Sequence, residues 1–223
     1  MNITSRTARA AAGILLAAAL AGCSGQAPSA STSASAGGGA AGGDWILGTT
    51  ETVTALDPAG AYDVASWNLQ YSLFQQLMVI PANGSTEAPD AASSCTYGDA
   101  KTITCTLQSG LKFSNGHDLT SSDVKFSFER NIKIADPNGA SVLLSSISNG
   151  DEKAPALADG AIETPDATTV VFHLNKADLT FIKVLTTATT SIVDEETFPA
   201  DKLQSDDKVI GSGPYALAQY KAK

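Results

Sequence analysis

Between Ser24 and Gly43 the chain is built almost wholly from Ser, Ala, Gly, Thr and Pro, without a charge or an aromatic ring. Such a stretch has no apolar surface with which to offset the entropy of ordering its backbone, so 23–43 reads as a flexible tether. Its twenty residues would span a root-mean-square distance of roughly 25 Å. The tether confines any core to residues 44–223, about 180 residues, which is enough for one good core or two small lobes.

What precedes the tether explains why it is there. Arg6 and Arg9 lie ahead of an uncharged run from Ala10 to Gly22, whose apolar centre is Ile14, Leu15, Leu16 and Leu20. A charged region, an apolar region and a small-residue exit are the parts of a secretory signal peptide, here 1–22. The run is too short for a stable membrane span, which needs about 20 apolar residues. Its exit, Leu20-Ala21-Gly22-Cys23, resembles the lipobox of bacterial lipoproteins. That resemblance implies a lipid on Cys23 and a mature chain held at the extracytoplasmic face of the cell membrane.

Charge narrows the partners. The whole chain has a formal charge of −9, and loss of Arg6 and Arg9 with the leader makes it −11. A domain this acidic, with no basic patch, is not expected to bind nucleic acid. With Cys23 assigned to the lipid, Cys95 and Cys105 remain as a pair. The segment Thr102–Leu107 alternates, with Ile103, Cys105 and Leu107 on one side and Thr102, Thr104 and Thr106 on the other. A hairpin centred near residue 100 sets the two cysteines opposite each other, and outside the cytoplasm they should oxidise. Metal binding and a reactive thiol are the rival readings. Neither finds a CxxC pair or a histidine at ligand spacing, so a structural disulfide is expected and no metal or other cofactor is.

Several elements can be read from local pattern. Residues Trp45–Thr49 are expected as a short strand. A helix is expected from Val64 to about Met78 with Asp63 as cap, because Trp67, Tyr71, Phe74 and Met78 recur at helical spacing. Pro81-Ala82-Asn83-Gly84-Ser85 is a turn region, and Asn115-Gly116 suits a tight turn with positive φ. Thr120 and Asp123 form a capping box for a helix that buries Val124, Phe128 and Ile132 and ends at Asp136-Pro137-Asn138-Gly139. Thr168–Leu174 alternates as a strand with Val170, Phe172 and Leu174 inward. Phe181–Leu185 is a short helix or a strand. Gly211-Ser212-Gly213-Pro214-Tyr215 is a rigid turn expected to feed a strand through Leu217 to Tyr220.

One stretch carries more than local structure. Gly110, Phe113, Asn115, Gly116, Leu119, Thr120, Asp123, Val124, Phe126, Ser127 and Arg130 occupy the places of a run G-x-x-F-x-[DN]-G-x-x-[LF]-[TN]-A-x-D-V-x-[FY]-[ST]-x-x-R, with Ser121 at the alanine. With the Gly-Ser-Gly-Pro-Tyr segment and Asp57-Pro58, this run resembles the family 5 extracellular solute-binding proteins of ABC importers, the oligopeptide-, dipeptide- and nickel-binding type. The resemblance covers about residues 45–220. It implies an α/β, periplasmic-binding-protein-like fold (type II, cluster C), with about 60–165 as the small insertion domain flanked by parts of the first lobe. Members of the family are longer, so the second ligand-clamping lobe is expected to be missing from these residues.

By the same resemblance the chain is a substrate-binding lipoprotein that captures a peptide-like solute outside the membrane and delivers it to an ABC permease. Sugars, nickel complexes and opines are bound on the same scaffold. Thr50, Glu51 and Thr52, in the loop after the first strand, and Trp67 are the residues it places near the cleft. Their bland readings are an exposed loop and a core residue. His117 reads as a surface residue beside a turn and His173 as a sheet side chain. No Gly-x-Ser-x-Gly elbow, phosphate loop or paired catalytic carboxylates appear, so an enzyme is not expected. A solute sensor on the same fold, or a truncated fragment that does not bind, are the alternatives.

Overall fold

Cys95 and Cys105 stand directly opposite each other in an antiparallel hairpin, bonded through their sulfurs, in the computed structural model, which describes residues 43–221. One hairpin strand, Thr102–Leu107, is the one the alternation predicted, and its partner is Ala92–Tyr97. Ile103, Cys105 and Leu107 are buried, as expected for the inward side of a half-buried strand. In chain order the strands are β1 (Met78–Val79), β2 (Ala88–Pro89), β3 (Ala92–Tyr97), β4 (Thr102–Leu107), β5 (Ile162–Asp166) and β6 (Thr169–His173). β1 pairs with β2, and the other four form a sheet of order β3-β4-β6-β5, every pair antiparallel. β6 buries Val170 and Phe172, with Phe172 opposite Ile103 in register.

Three helices accompany the sheets: α1 (Val64–Leu73), α2 (Ser121–Ile134) and α3 (Phe181–Val184), which settles the Phe181 segment as helix. The Thr120 backbone N–H donates to Asp123 Oδ2 at 2.9 Å, the reciprocal half of the expected capping box. α2 lays Val124, Phe128 and Ile132 on the sheet, and Phe128, Phe172 and Phe181 stack in series at centroid distances of 5.3 and 5.7 Å. It stops at Ile134, and Ala135 takes the left-handed conformation at φ 45° before the Asp136–Gly139 turn.

Two buried clusters result. The larger gathers the sheet, α2 and residues as far as Ile192; the smaller joins Leu56, Leu73, Phe74, Val193, Phe198 and Val209. Phe126, on another side of α2, packs against the smaller one. Four residues on from Phe126 is the buried Arg130, whose Nη1 and Nη2 donate to the two oxygens of Asp57 at 2.8 and 2.9 Å. Its Nε and Nη2 also donate to the carbonyls of Pro199 and Lys202, and its guanidinium lies 5.3 Å over the Phe198 ring.

Three sequence expectations need correction. α1 ends at Leu73, five residues before the predicted Met78, because its last carbonyls are taken from outside the helix. A continued helix would use Leu73 O and Ser72 O for its own next turn. Here Gly213 N–H donates to Leu73 O at 2.9 Å and Tyr215 N–H to Ser72 O at 3.0 Å. Its buried face is also different: Ser66, Gln70 and Leu73 point inward, while Trp67 and Tyr71 lie toward the surface. Ser66 Oγ accepts from the backbone of Thr54, and Gln70 Nε2 donates to the carbonyls of Ala55 and Asp57, so the inward polar groups serve an irregular backbone that has no ladder.

The second correction is at Trp45–Thr49, which is not a strand; Trp45, Ile46 and Leu47 are exposed. The third is Leu217–Tyr220, which likewise forms no ladder and instead rests Leu217 and Tyr220 on the smaller core. Among the described residues, those from 48 onward form one compact unit, to which 43–47 do not belong. The leader, Cys23 and the tether as far as residue 42 lie outside the described residues. Among the described residues no helix is long and apolar enough to cross a membrane.

The cross-link closes a loop of sequence separation 10, for which chain entropy gives about 3 kcal/mol. Replacing both Cys95 and Cys105 by alanine is expected to lower unfolding free energy by about that amount in urea titrations. An unchanged midpoint would show that the hairpin does not need the link.

Candidate functional site

Because α1 turns its polar face inward, its aromatic face is left outside. Tyr62, Trp67 and Tyr71 form a ladder there, with centroids 5.2 and 6.3 Å apart and the second pair edge-to-face. Trp67 is half-buried, and its Nε1 donates to Ala61 O at 3.0 Å. It is therefore neither a core residue nor a free surface ring. Tyr71 reaches the other way, donating its hydroxyl to Thr186 O at 3.4 Å.

Beyond Tyr71 the surface opens into a groove of about 720 Å³. It is lined by the chain leaving α1, from Phe74 through Gln75 and Gln76 to Val79 and Ile80, and by Ser212, Gly213 and Pro214, a segment that packs on Leu73 and Phe74. Asp90, directly after β2, also lines it. Gln75 Nε2 donates to one of its oxygens at 2.9 Å and the Gln76 backbone N–H to the other at 3.0 Å. Burial pushes the Asp90 carboxyl above the usual carboxylate range, against those two hydrogen bonds. Gln76 is itself fixed by a bond from Nε2 to Ser191 Oγ at 2.8 Å. Ser212 Oγ is a buried atom of the groove wall with no hydrogen-bond partner. A second depression, about 490 Å³ beside α2 and β5, is lined by charges of both signs such as Lys125 and Glu129. It offers no fixed polar group of this kind.

The residues expected near the cleft are not all brought together. Thr50, Glu51 and Thr52 are exposed, and the Glu51 N–H donates to Thr49 Oγ1; none of the three lines the groove. Trp67 meets it only through Tyr71. Cys95 and Cys105 are buried in the sheet. His117 is more than a surface residue: its Nδ1 lies 2.9 Å from Oδ2 of the buried Asp194, which also accepts from Asn115 Nδ2 at 2.7 Å. His173 is a sheet side chain, with Nε2 at 3.6 Å from Glu163. Among the described residues no group of three His, Cys, Asp or Glu side chains is placed to hold a metal ion. Asp90, Gln75 and Ser212 escaped the sequence reading. The only signals available were the Pro89-Asp90 pair after a turn region and the serine inside Gly-Ser-Gly-Pro-Tyr.

With fold and groove in hand, comparison with known proteins is decisive. The family model for bacterial extracellular solute-binding proteins, family 5 (Middle), matches residues 87–223. The chain belongs to this family. The fold class expected above, periplasmic-binding-protein-like, is the one found. The clavulanic acid biosynthesis oligopeptide binding protein 2 superimposes with a TM-score of 0.65 at 27% identity, over 76% of this chain and 32% of that one.

Among relatives by sequence, the probable D,D-dipeptide-binding periplasmic protein DdpA of Escherichia coli is 28% identical, over 79% of this chain and 33% of its own length. The periplasmic oligopeptide-binding protein OppA of the same organism is 28% identical, over 75% and 32%. This chain thus spans about a third of the family 5 relatives it matches.

In this family 5 chain the Gly-Ser-Gly-Pro-Tyr segment owes its glycines to contact. A Cβ on Gly211 would lie 1.9 Å from Leu73 O, and one on Gly213 would lie 2.5 Å from Leu73 C. Gly211→Ala and Gly213→Ala are each expected to cost about 3 kcal/mol, at the upper end of overpacking penalties. Ser212→Ala should be tolerated. Chemical denaturation checks this, and alanine accepted at either glycine without loss would contradict the close approach.

Proposed function

We propose that this chain forms part of the substrate-binding lipoprotein of an ABC importer, taking peptide-like solutes outside the membrane and presenting them to the permease. Membership of family 5 carries the reading, and the two relatives above, one named for D,D-dipeptides and one for oligopeptides, give the solute class. In this account a lipid on Cys23 and the 23–43 tether keep the receptor beside its permease and so raise the local solute concentration. About 60–165 acts as the small insertion domain and the flanking segments as parts of the first lobe. The interior also divides between intervening and flanking residues, but with the change at 74–77 and 192–193 and not at 60 and 165. Clamping a solute from both sides falls to a second lobe outside these residues.

The reading is tested in the producing bacterium. Deleting the gene is expected to reduce uptake of labelled tri- to pentapeptides to background, and the intact gene to restore it. A Cys23→Ser copy should leave the membrane fraction and fail to incorporate labelled palmitate. Undiminished uptake of every peptide in the deletion strain would refute the import role.

A further inference from the structure

The groove beside α1 contains a carboxylate that the rest of the fold does not neutralise. Among the described residues Asp90 has no lysine, arginine or histidine within ion-pair distance. Its bonds to Gln75 and Gln76 are from neutral donors and hold it in place without cancelling its charge. A carboxylate offers about four lone-pair sites, so two such bonds leave it free to accept more. No basic side chain lines the groove. Alongside stand the ring of Tyr71, a suitable face for a cation, and the apolar surface of Val79 and Ile80. Ser212 also lines the groove, with its Oγ buried and unpartnered.

We infer that this groove is a binding subsite for a cationic amine carried on an aliphatic or peptide-like body, with Asp90 as its counter-ion and Tyr71 as its aromatic wall. The inference rests on the solute-binding reading and narrows it: solutes that carry an exposed ammonium group are preferred over neutral or anionic ones of the same shape. Desolvation gives the selectivity its direction. A carboxylate partly withdrawn from water, as Asp90 is, gains more from an ammonium ion than one in bulk solvent, and it repels a second carboxylate. An alcohol of equal length can offer only a neutral hydrogen bond.

The test uses the purified full chain and three probes of one length: hexylammonium, hexan-1-ol and hexanoate. Amide shifts of Gln75, Gln76 and Ser212 are followed by NMR during titration. Hexylammonium is expected to saturate, with an affinity at least about tenfold above either other probe, as a charge-assisted bond allows. Asp90→Asn should abolish that preference while the rest of the spectrum stays native. Equal affinities for the three probes, no saturable shift with hexylammonium, or a preference that survives Asp90→Asn would each overturn the subsite. Should Asp90→Asn fail to fold, the comparison of probes on the unaltered chain decides alone. Import is judged separately by peptide uptake in the deletion strain, so loss of the subsite would leave the import reading standing.

Discussion

Arg130 is 2% exposed and its partner Asp57 is fully buried. Two opposite charges taken out of water cost several kcal/mol each before their attraction is counted, so such a pair persists only where its remaining hydrogen-bonding capacity is also met. Here it is. Asp57 accepts both guanidinium nitrogens together with the backbone N–H groups of Ala59 and Gln204, and Arg130 also donates to the carbonyls of Pro199 and Lys202. The pair thereby fastens three segments far apart in the chain: the turn at Pro58, α2, and the return after Phe198. The pair adjoins the smaller core at Phe198, over whose ring the guanidinium lies, and α2 packs on both cores.

A second constraint follows from that junction. Once the return segment is fixed on Arg130, the glycines at 211 and 213 come onto the last carbonyls of α1 and stop the helix. The same contact accompanies the inward turn of Phe74 and the approach of Gln75 and Gln76 to Asp90, and it brings Ser212 to the groove's lining. The groove is therefore a product of tertiary contact between sequence-distant parts. Its neighbour, the Tyr62-Trp67-Tyr71 ladder, follows from the same orientation of α1, which keeps Ser66 and Gln70 inside.

What could be read from the sequence divides along these lines. The β3–β4 hairpin, the α2 cap and the inward side of β6 depend on local alternation, capping and turn chemistry, and each was legible residue by residue. The end of α1 was not, since the groups that stop it lie about 140 residues farther on. Its buried face was misread for a related reason: the interior at that point is irregular backbone, which wants the amide of Gln70 more than an indole. Asp57 and Arg130 were visible only as places in a family pattern. Arg130 is the one arginine beyond the leader in the chain, a hint that its planar, multi-donor group could not be exchanged for lysine. Asp90 had no such hint, and Thr50, Glu51 and Thr52 took their interest from the resemblance alone.

Function is drawn from the family and geometry from the junction, so the junction is where the account is most exposed. A double-mutant cycle on Asp57→Asn and Arg130→Met, followed by urea unfolding, measures it directly. Each single change should strand a buried group and cost about 3–5 kcal/mol. The double change should cost well below the sum, by more than about 1 kcal/mol, because neither charge is then left alone. Additive effects, or single losses under about 1 kcal/mol, would mean that the three segments hold together without this pair.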